Sequence, residues 1–416
     1  MPSGPELAEG ERLSKGSPSS PFRRRDYSLF WVAGAVDGLG TCASTLFLPL
    51  ILLGAGYSSG LAGLVASVAL VSGLVVSPVA GVFADRLPRK PMMYTAALVA
   101  AGAMGSVFVT VALGHVVLLH VLVAAVVEQA ASATYGAAAS GTIRRLVPPE
   151  EYPRAIGYLQ ARDQAVQIVG PTLGGVLYQA ARWVPLLADA VSFLLVAVLS
   201  RAIRADLTPV RETTAPSFAR ELADGLRFVW AHPFLRFVVV WTAGVNALLG
   251  ALYFHAVFAS HAEGASPSSI GLILTLAGVG GLLGALAAPW LVQRVTAPRI
   301  VTGASWVMVP TAAGLAYASQ TWAYGLLLSG VSLIVPSVAV VLQTRAVLVT
   351  PDGLLARMGT VLGTAGQGVA ALAPVLAGVL VAAYGGRTVA WGCAGAFAAL
   401  ALYATARSAL VVREVP

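Results

Sequence analysis

Long stretches of almost unbroken apolar residues recur along the chain, at about 28–53, 60–83, 91–113, 116–142, 156–180 and 183–201, and again at about 235–259, 268–292, 299–318, 321–346, 357–384 and 387–407. Each is long enough to cross roughly 30 Å of hydrocarbon at about 1.5 Å per residue. A backbone in lipid must satisfy its polar groups internally, so these runs are helices. The pattern predicts an all-α membrane protein with twelve transmembrane helices, numbered 1 to 12 in order. Two polar stretches interrupt it. Residues 1–26, rich in Ser, Gly, Pro, Arg and Glu, read as a cytoplasmic tail without the apolar core and cleavage site of a secretory signal. Residues 202–234 form a linker that divides the spans six and six. The expected organisation is a bundle at 27–201, the cytoplasmic linker, a second bundle at 235–407 and a short cytoplasmic tail at 408–416.

Basic residues give the orientation. Arg12, Lys15 and Arg23 to Arg25 precede helix 1, Arg86, Arg89 and Lys90 follow helix 2, and Arg144, Arg145 and Arg154 follow helix 4. Arg201, Arg204, Arg211, Arg220, Arg227 and Arg236 populate the linker, with Arg294, Arg299, Arg345, Arg357, Arg407 and Arg413 at later borders of the same side. Of the 26 Lys and Arg, that side holds 23, the opposite loops hold only Arg182 and Arg387, and Arg162 lies inside helix 5. Positive charge marks the cytoplasmic side, so both termini are expected there, in a multi-pass protein of the cell membrane.

The two halves repeat in register. Trp31 and Gly34 match Trp241 and Gly244 at an offset of 210, while Gly63, Gly73 and Arg86 match Gly271, Gly281 and Arg294 at 208. Pro148, Arg154, Pro171 and Gly175 match Pro351, Arg357, Pro374 and Gly378 at 203. Small loop deletions in a duplicated six-helix unit leave such a drift. Two pseudo-symmetric six-helix bundles are a recurrent transporter architecture with a substrate site at their interface.

Composition closes other options. Only 11% of the 416 residues are charged and 57% are hydrophobic, too few charges to surround a soluble globule, in which about 25% are charged. The net charge of +8 is spread over membrane borders, which excludes a nucleic-acid partner. Cys42 and Cys393 lie in separate apolar runs and imply neither a disulfide framework nor a metal site. No nucleotide loop, dinucleotide fingerprint, metal-ligand cluster or catalytic triad is present, so no cofactor, metal or enzymatic activity is expected.

The loop after helix 2 reads Gly81-Val82-Phe83-Ala84-Asp85-Arg86-Leu87-Pro88-Arg89-Lys90. It resembles the signature that the major facilitator superfamily carries between helices 2 and 3, with Pro88 where that family usually has glycine. In helix 5, Gly170-Pro171-Thr172-Leu173-Gly174-Gly175, with Gly157 upstream, resembles the antiporter motif of the drug-exporting branches, although Val166 replaces another of its glycines. The start of helix 1, Arg25 to Trp31, and Leu46 to Leu50 resemble the bacterial macrolide and siderophore exporter branch. The resemblance covers about 23–407. It implies that helices 1, 4, 7 and 10 line a central cavity. It also implies that Asp85, with Arg86 paired locally, faces the start of helix 11 near Gly359 and holds a cytoplasmic gate shut. Physically, a carboxylate at a helix N-terminus stabilises it by about 0.3–2 kcal/mol, and Arg89 and Lys90 also serve as border anchors. Pro171 removes a backbone donor, and Gly170, Gly174 and Gly175 let another helix approach closely.

Polar residues within the spans cost free energy and call for a reason. Asp37 shares a face of helix 1 with Thr41, Ser44 and Thr45, and Glu128 shares a face of helix 4 with Ser132 and Tyr135. These two acids are the candidates for proton or cation binding. Arg162 and Asp163 lie two turns into helix 5, with Gln167 on the aspartate's face. Asn246 and Tyr253 in helix 7, Gln343 in helix 10 and Gln367 in helix 11 are candidate cavity contacts. Asp189, His120 and His255 read as structural. The leading expectation is a monomeric secondary transporter, set in lipid, that exports a small amphipathic molecule, drug or natural product, against inward proton flow. A metabolite uptake permease of the same fold and a transport-inactive receptor or assembly partner are the alternatives. A mostly apolar cavity with one or two acids suits lipophilic cations or neutral macrocycles.

Overall fold

The computed structural model describes residues 21, 24–208, 218–318, 320–351, 354–408 and 410. Most of the expected N-terminal tail, the middle of the linker at 209–217 and the last residues of the C-terminal tail therefore lie outside the described residues. The described chain is built of helices. The first six spans are α1 (Arg25–Gly54), α2 (Ser59–Ala84), α3 (Arg89–Ala112), α4 (Leu118–Ser140), α5 (Tyr152–Ala180) and α6 (Val184–Ala202). The last six are α7 (Pro233–Ala262), α8 (Pro267–Arg294), α9 (Ala297–Leu315), α10 (Thr321–Leu348), α11 (Leu355–Ala370 and Ala373–Tyr384) and α12 (Gly386–Ala406). Among the described residues this makes twelve spans when the two pieces of α11 are counted together. Ten are both long and apolar enough to cross a membrane. The other two are α5, which carries Arg154, Arg162 and Asp163, and α9, a short helix with Pro298, Arg299 and Pro310.

Two features depart from the apolar pattern. A helix at Phe218–Ala231 precedes α7; at fourteen residues it is too short to span, and its apolar positions fall on one face. The single run at 357–384 is two helices, broken at Ala371 and Leu372 just before Pro374. Proline clashes with the carbonyl four residues back and leaves it without a donor, and the first piece ends at that residue, Ala370.

Local structure repeats between halves. The chain turns after α1 through Gly56 at φ 90° and after α7 through Gly264 at φ 79°, a left-handed conformation that side chains other than glycine's disfavour. Ser58 then caps α2 by accepting from the Leu61 amide, and Ser266 caps α8 by accepting from the Ser269 amide, both at 3.3 Å. Each capping oxygen satisfies one of the orphan donors of a helix start.

Within the first bundle, α2 packs on α4, α3 on α6 and α1 on both α5 and α6. The second bundle repeats this with α8 on α10, α9 on α12 and α7 on α11. The bundles meet along two seams, α5 against α8 and α2 against α11. Outward-facing side chains such as Val75, Leu119, Val198, Leu286 and Leu326 are exposed and apolar, as a surface facing acyl chains requires.

Candidate functional site

Both seams lie toward the ends of the helices remote from Arg25 and Ala406. A Cβ on Gly271 of α8 would strike the Pro171 carbonyl, and one on Gly63 of α2 would strike the Pro374 carbonyl. Beside these contacts, a Cβ on Gly175 would lie 2.6 Å from the Pro267 carbonyl oxygen, and one on Gly378 would meet the Ser59 carbonyl. Glycine is thus required where backbone meets backbone. Hydrogen bonds stitch the same contacts: Thr275 Oγ1 donates to the Ile168 carbonyl at 2.7 Å, Ser59 Oγ donates to the Gly378 carbonyl at 3.0 Å, and the Val375 amide donates to Ser67 Oγ at 2.9 Å. Between the seams an apolar plug of Leu46, Phe47, Leu50, Val257, Phe258 and Ile270 joins α1, α7 and α8. That end of the protein is closed.

Below the plug a cavity of about 650 Å³ separates the bundles. Its polar groups are Thr41, Gln129, Gln164 and Gln167 on one side and Tyr253 and Ser332 on the other, the last two hydrogen-bonded to each other at 2.9 Å. Phe254, Val257 and Leu274 supply an apolar wall, and Pro171 of the α5 motif completes it. Leu70 and Gln129 also border a second cavity of about 320 Å³ between α2, α4 and α11. Gln367 links that space to a third, of about 670 Å³, where Thr242, Asn246 and Gln343 are found. The series runs from mid-span toward the ends carrying Arg25 and Ala406. Among the described residues, none that lines these three cavities is charged.

The helices expected to line the cavity do so, but Asp37 and Glu128 turn away from it. Asp37 borders a tight space inside the first bundle with Ala96, Ala97, Ala100, Ser132 and Tyr135. Glu128 is 4% exposed, accepts from Ser132 Oγ at 2.9 Å and borders a small space with Ser44 and Ala69 that also touches the cavity-wall residues Leu70, Gln129 and Phe254. Adjacent residues on a helix point about 100° apart, so Glu128, Ser132 and Tyr135 face the bundle interior while Gln129 and Ala133 face the gap. Small alanines on α3 and α4 make the room that the acids occupy. Asp189, which reads as a structural residue in the sequence, joins them. It is fully buried on α6, its Oδ1 lies against Gly40 of α1, and it is close enough to both Glu128 and Asp37 to interact electrostatically.

Arg162 is the cation of this region. Its side chain is 13% exposed, pairs with Asp163 at 2.7 Å, lies over Gly34 of α1 and acts electrostatically on Asp37. Asp163 itself is exposed. The rest of the α5 motif holds α1: a Cβ on Gly170 would sit 2.6 Å from Cys42 Cβ, and one on Gly174 would sit 2.8 Å from Phe47. Gly157 is exposed, and a Cβ there would meet open space. Tyr135 is buried beside Asp37.

The loop motif after α2 divides. Asp85 is 79% exposed and pairs with Arg89 at 3.7 Å. The Arg89 guanidinium lies against Gly141 beyond α4, Lys90 Nζ donates to the Ile203 carbonyl at 2.6 Å, Arg86 is exposed and Gly81 has open space around it. Among the described residues, the Asp85 carboxylate makes no ion pair or hydrogen bond other than that with Arg89, and Gly359 borders the third cavity. That end of the protein is open.

Gln129 and Gln164 are cavity residues that the sequence pattern did not single out. The spacing of Gln164, Gln167 and Pro171, three and four residues apart, is the signal that finds the α5 face.

A sequence model described as the Major Facilitator Superfamily matches residues 30–346. The multidrug efflux pump Tap of Mycobacterium tuberculosis is 30% identical over 293 residues, 67% of each chain. The multi-drug resistance efflux pump PmrA of Streptococcus pneumoniae is 27% identical over 205 residues, 48% of this chain and 49% of that one. Among solved structures, a bacterial homologue of the human lysosomal transporter Spinster, inward-facing and unoccupied, superposes with a TM-score of 0.74 at 14% identity, covering 96% of this chain and all of that one. The nucleoside transporter NupG gives 0.72 at 13% identity over 92% of this chain and 98% of that one.

Proposed function

The chain belongs to the Major Facilitator Superfamily, and from that premise we propose that this membrane transporter exports a small amphipathic molecule from the cell by proton antiport. The observation that carries the reading is the pairing of a cavity, sealed at one end and open at the other, with a buried acid cluster on the far side of α1. The open end is the basic one, so it faces the cytoplasm and the conformation is inward-facing. Cargo enters from that side and reaches the cavity at mid-span. Rocking of the bundles then parts the two seams, opening the plugged end and closing the other, and brings Asp85 toward α11.

Asp37 and Glu128 are the proton sites. An acid at membrane depth costs free energy unless it is paired or protonated, and Arg162, the cation nearest Asp37, is already engaged by Asp163. Helix α1 touches cargo with Thr41 and Cys42 and touches the acids with Asp37 and Gly40. Protonation on one face therefore shifts how α1 seats against α5 and α6, which biases the equilibrium between the two conformations. Two curated relatives described as efflux pumps support the outward direction.

The test is export from cells and from inside-out vesicles with the proton gradient imposed and then collapsed by a protonophore. Uphill accumulation of cargo inside the vesicles, with acidic interior and loss on adding protonophore, is expected. Accumulation indifferent to the gradient overturns antiport, and accumulation only in right-side-out vesicles overturns export.

A further inference from the structure

The cavity walls say what kind of molecule the protein carries, if the exporter reading on which this rests is correct. Three side-chain amides, those of Gln129, Gln164 and Gln167, border one side of the gap, and no hydrogen bond among the described residues engages them. Each amide offers two donors and one acceptor. The hydroxyls opposite, Tyr253 and Ser332, are hydrogen-bonded to each other, which occupies one of their two donors. Around them the surface is apolar, with Phe254, Val257 and Leu274 facing the amides.

Among the described residues, charge is absent from this surface and from the lining of the path that reaches it. Asn246, Gln343, Gln367 and Thr242, the polar groups of the wider entrance, are neutral as well. Asp37 and Asp189 stand on the far side of α1 and act on the wall residue Cys42, while Glu128, 4% exposed, borders a separate space of about 40 Å³ that shares Leu70, Gln129 and Phe254 with the cavity wall. Arg162 is tied to Asp163. Among the described residues lining the cavity, a cation would find no carboxylate and an anion no guanidinium or ammonium, and Glu128 is held behind Gln129 by its bond from Ser132. Either would be removed from water without a partner, the situation that excludes bare charges from low-dielectric interiors. An uncharged molecule with carbonyl or hydroxyl groups along one edge loses nothing comparable, because the amides replace its water. The volume of about 650 Å³ falls within the roughly 300–1,000 Å³ of drug-sized sites.

We propose that the cargo is an uncharged amphiphile of drug size, held by the amides of Gln129, Gln164 and Gln167 along its polar edge and by the apolar wall of Phe254, Val257 and Leu274 along its body. Cargo and proton then occupy different sites on opposite faces of α1 and do not compete for one carboxylate.

The experiment is equilibrium binding to the purified full-length protein in detergent. The probes are three coumarin dyes with one apolar body and a single variable arm ending in a hydroxyl, a trimethylammonium or a carboxylate. The hydroxyl dye should bind at least about tenfold more tightly than either charged dye, a selectivity built from unpaired charge rather than from contact area. Gln164→Leu with Gln167→Leu should weaken the hydroxyl dye by about tenfold, as loss of buried hydrogen-bond partners does. Gln129→Glu should reverse the preference toward the trimethylammonium dye. Equal or tighter binding of the trimethylammonium dye to the unaltered protein overturns the proposal, as does the absence of saturable binding by all three. Export of the same dyes from cells separates the two readings. Selective binding without export sustains the neutral cargo and removes the exporter, while export with cation-selective binding does the reverse.

Discussion

The two bundles share a frame and differ in what they bury. Gly63 and Gly271, Pro171 and Pro374, and Gly175 and Gly378 are matched positions, and each pair makes the same backbone contact across the opposite seam. The caps at Ser58 and Ser266 and the turns at Gly56 and Gly264 match as well. The interiors do not. Carried across at the offset of the Trp31 and Trp241 pair, Asp37 falls on Ala247; at the offset of Pro171 and Pro374, Glu128 falls on Val331, which is fully buried. Where the first bundle holds three acids and Arg162, the second holds neutral pairs: Trp241 donating to Ser305 at 2.9 Å, and Tyr253 with Ser332. Geometry must be kept in both copies because each seam needs both partners. On the proposed antiport mechanism charge is needed once, since one protonatable bundle would suffice to drive a relative motion.

The largest expected effect tests that asymmetry. Asp37→Asn with Glu128→Gln mimics a permanently protonated first bundle, and cells carrying it at matched expression should show no uphill export. Val331→Glu added to that double mutant should restore nothing. Full uphill export by the double mutant removes the acids from coupling, and restoration by Val331→Glu means that the bundles are interchangeable after all.

Next is the symmetric frame. Gly63→Val and Gly271→Val each push side chain into a carbonyl of the other bundle, an overpacking that costs about 1–3 kcal/mol. Transport rates should fall by about tenfold in both, since about 1.4 kcal/mol corresponds to that factor. A large loss in one and none in the other breaks the equivalence of the seams.

Smaller is Asp85→Asn. The exposed pair with Arg89 is itself worth about 0–1 kcal/mol, so a several-fold slowing of export, with greater labelling of a cysteine placed at Gly359, reports a gate made only in the other conformation. Unchanged labelling and rate remove Asp85 from the gate.

Least is Trp241→Phe, which deletes a hydrogen bond in the uncharged bundle. Thermal denaturation of the purified protein should register about 0.5–1.5 kcal/mol, with protonophore sensitivity intact. Altered proton coupling in this variant places part of the drive in the second bundle.

Much of the fold is legible in the sequence because run length and basic borders are one-dimensional signals. The duplicated glycines and prolines are visible as offsets, but their cross-bundle pairing, Gly63 with Pro374 and Gly271 with Pro171, appears only when the helices are packed. The break in α11 is not legible, since the matching Pro171 sits in an unbroken α5 where Thr275 of α8 donates to the neighbouring Ile168 carbonyl. The helix at Phe218–Ala231 escapes notice for being short and half polar. At the site, polar residues within spans are conspicuous, yet hydropathy does not tell which of Glu128 and Gln129 faces the gap. That depends on a rotation of one residue about the helix, set by alanines on other helices. Asp189 is hidden for the same reason, its depth being fixed by Gly40 and Ser192 beside it.

The seams are made of glycine and proline backbone stitched by short hydroxyl side chains rather than of long interdigitated ones, and this bears on the cost of parting them. Closing an ordinary interface freezes rotamers, at up to about 2 kcal/mol for each long side chain, whereas glycine, alanine and proline have none to freeze. Two such surfaces meet and part with little entropy lost or regained. The exchange between arrangements that the proposed transport cycle requires then carries little side-chain entropy cost at the seams.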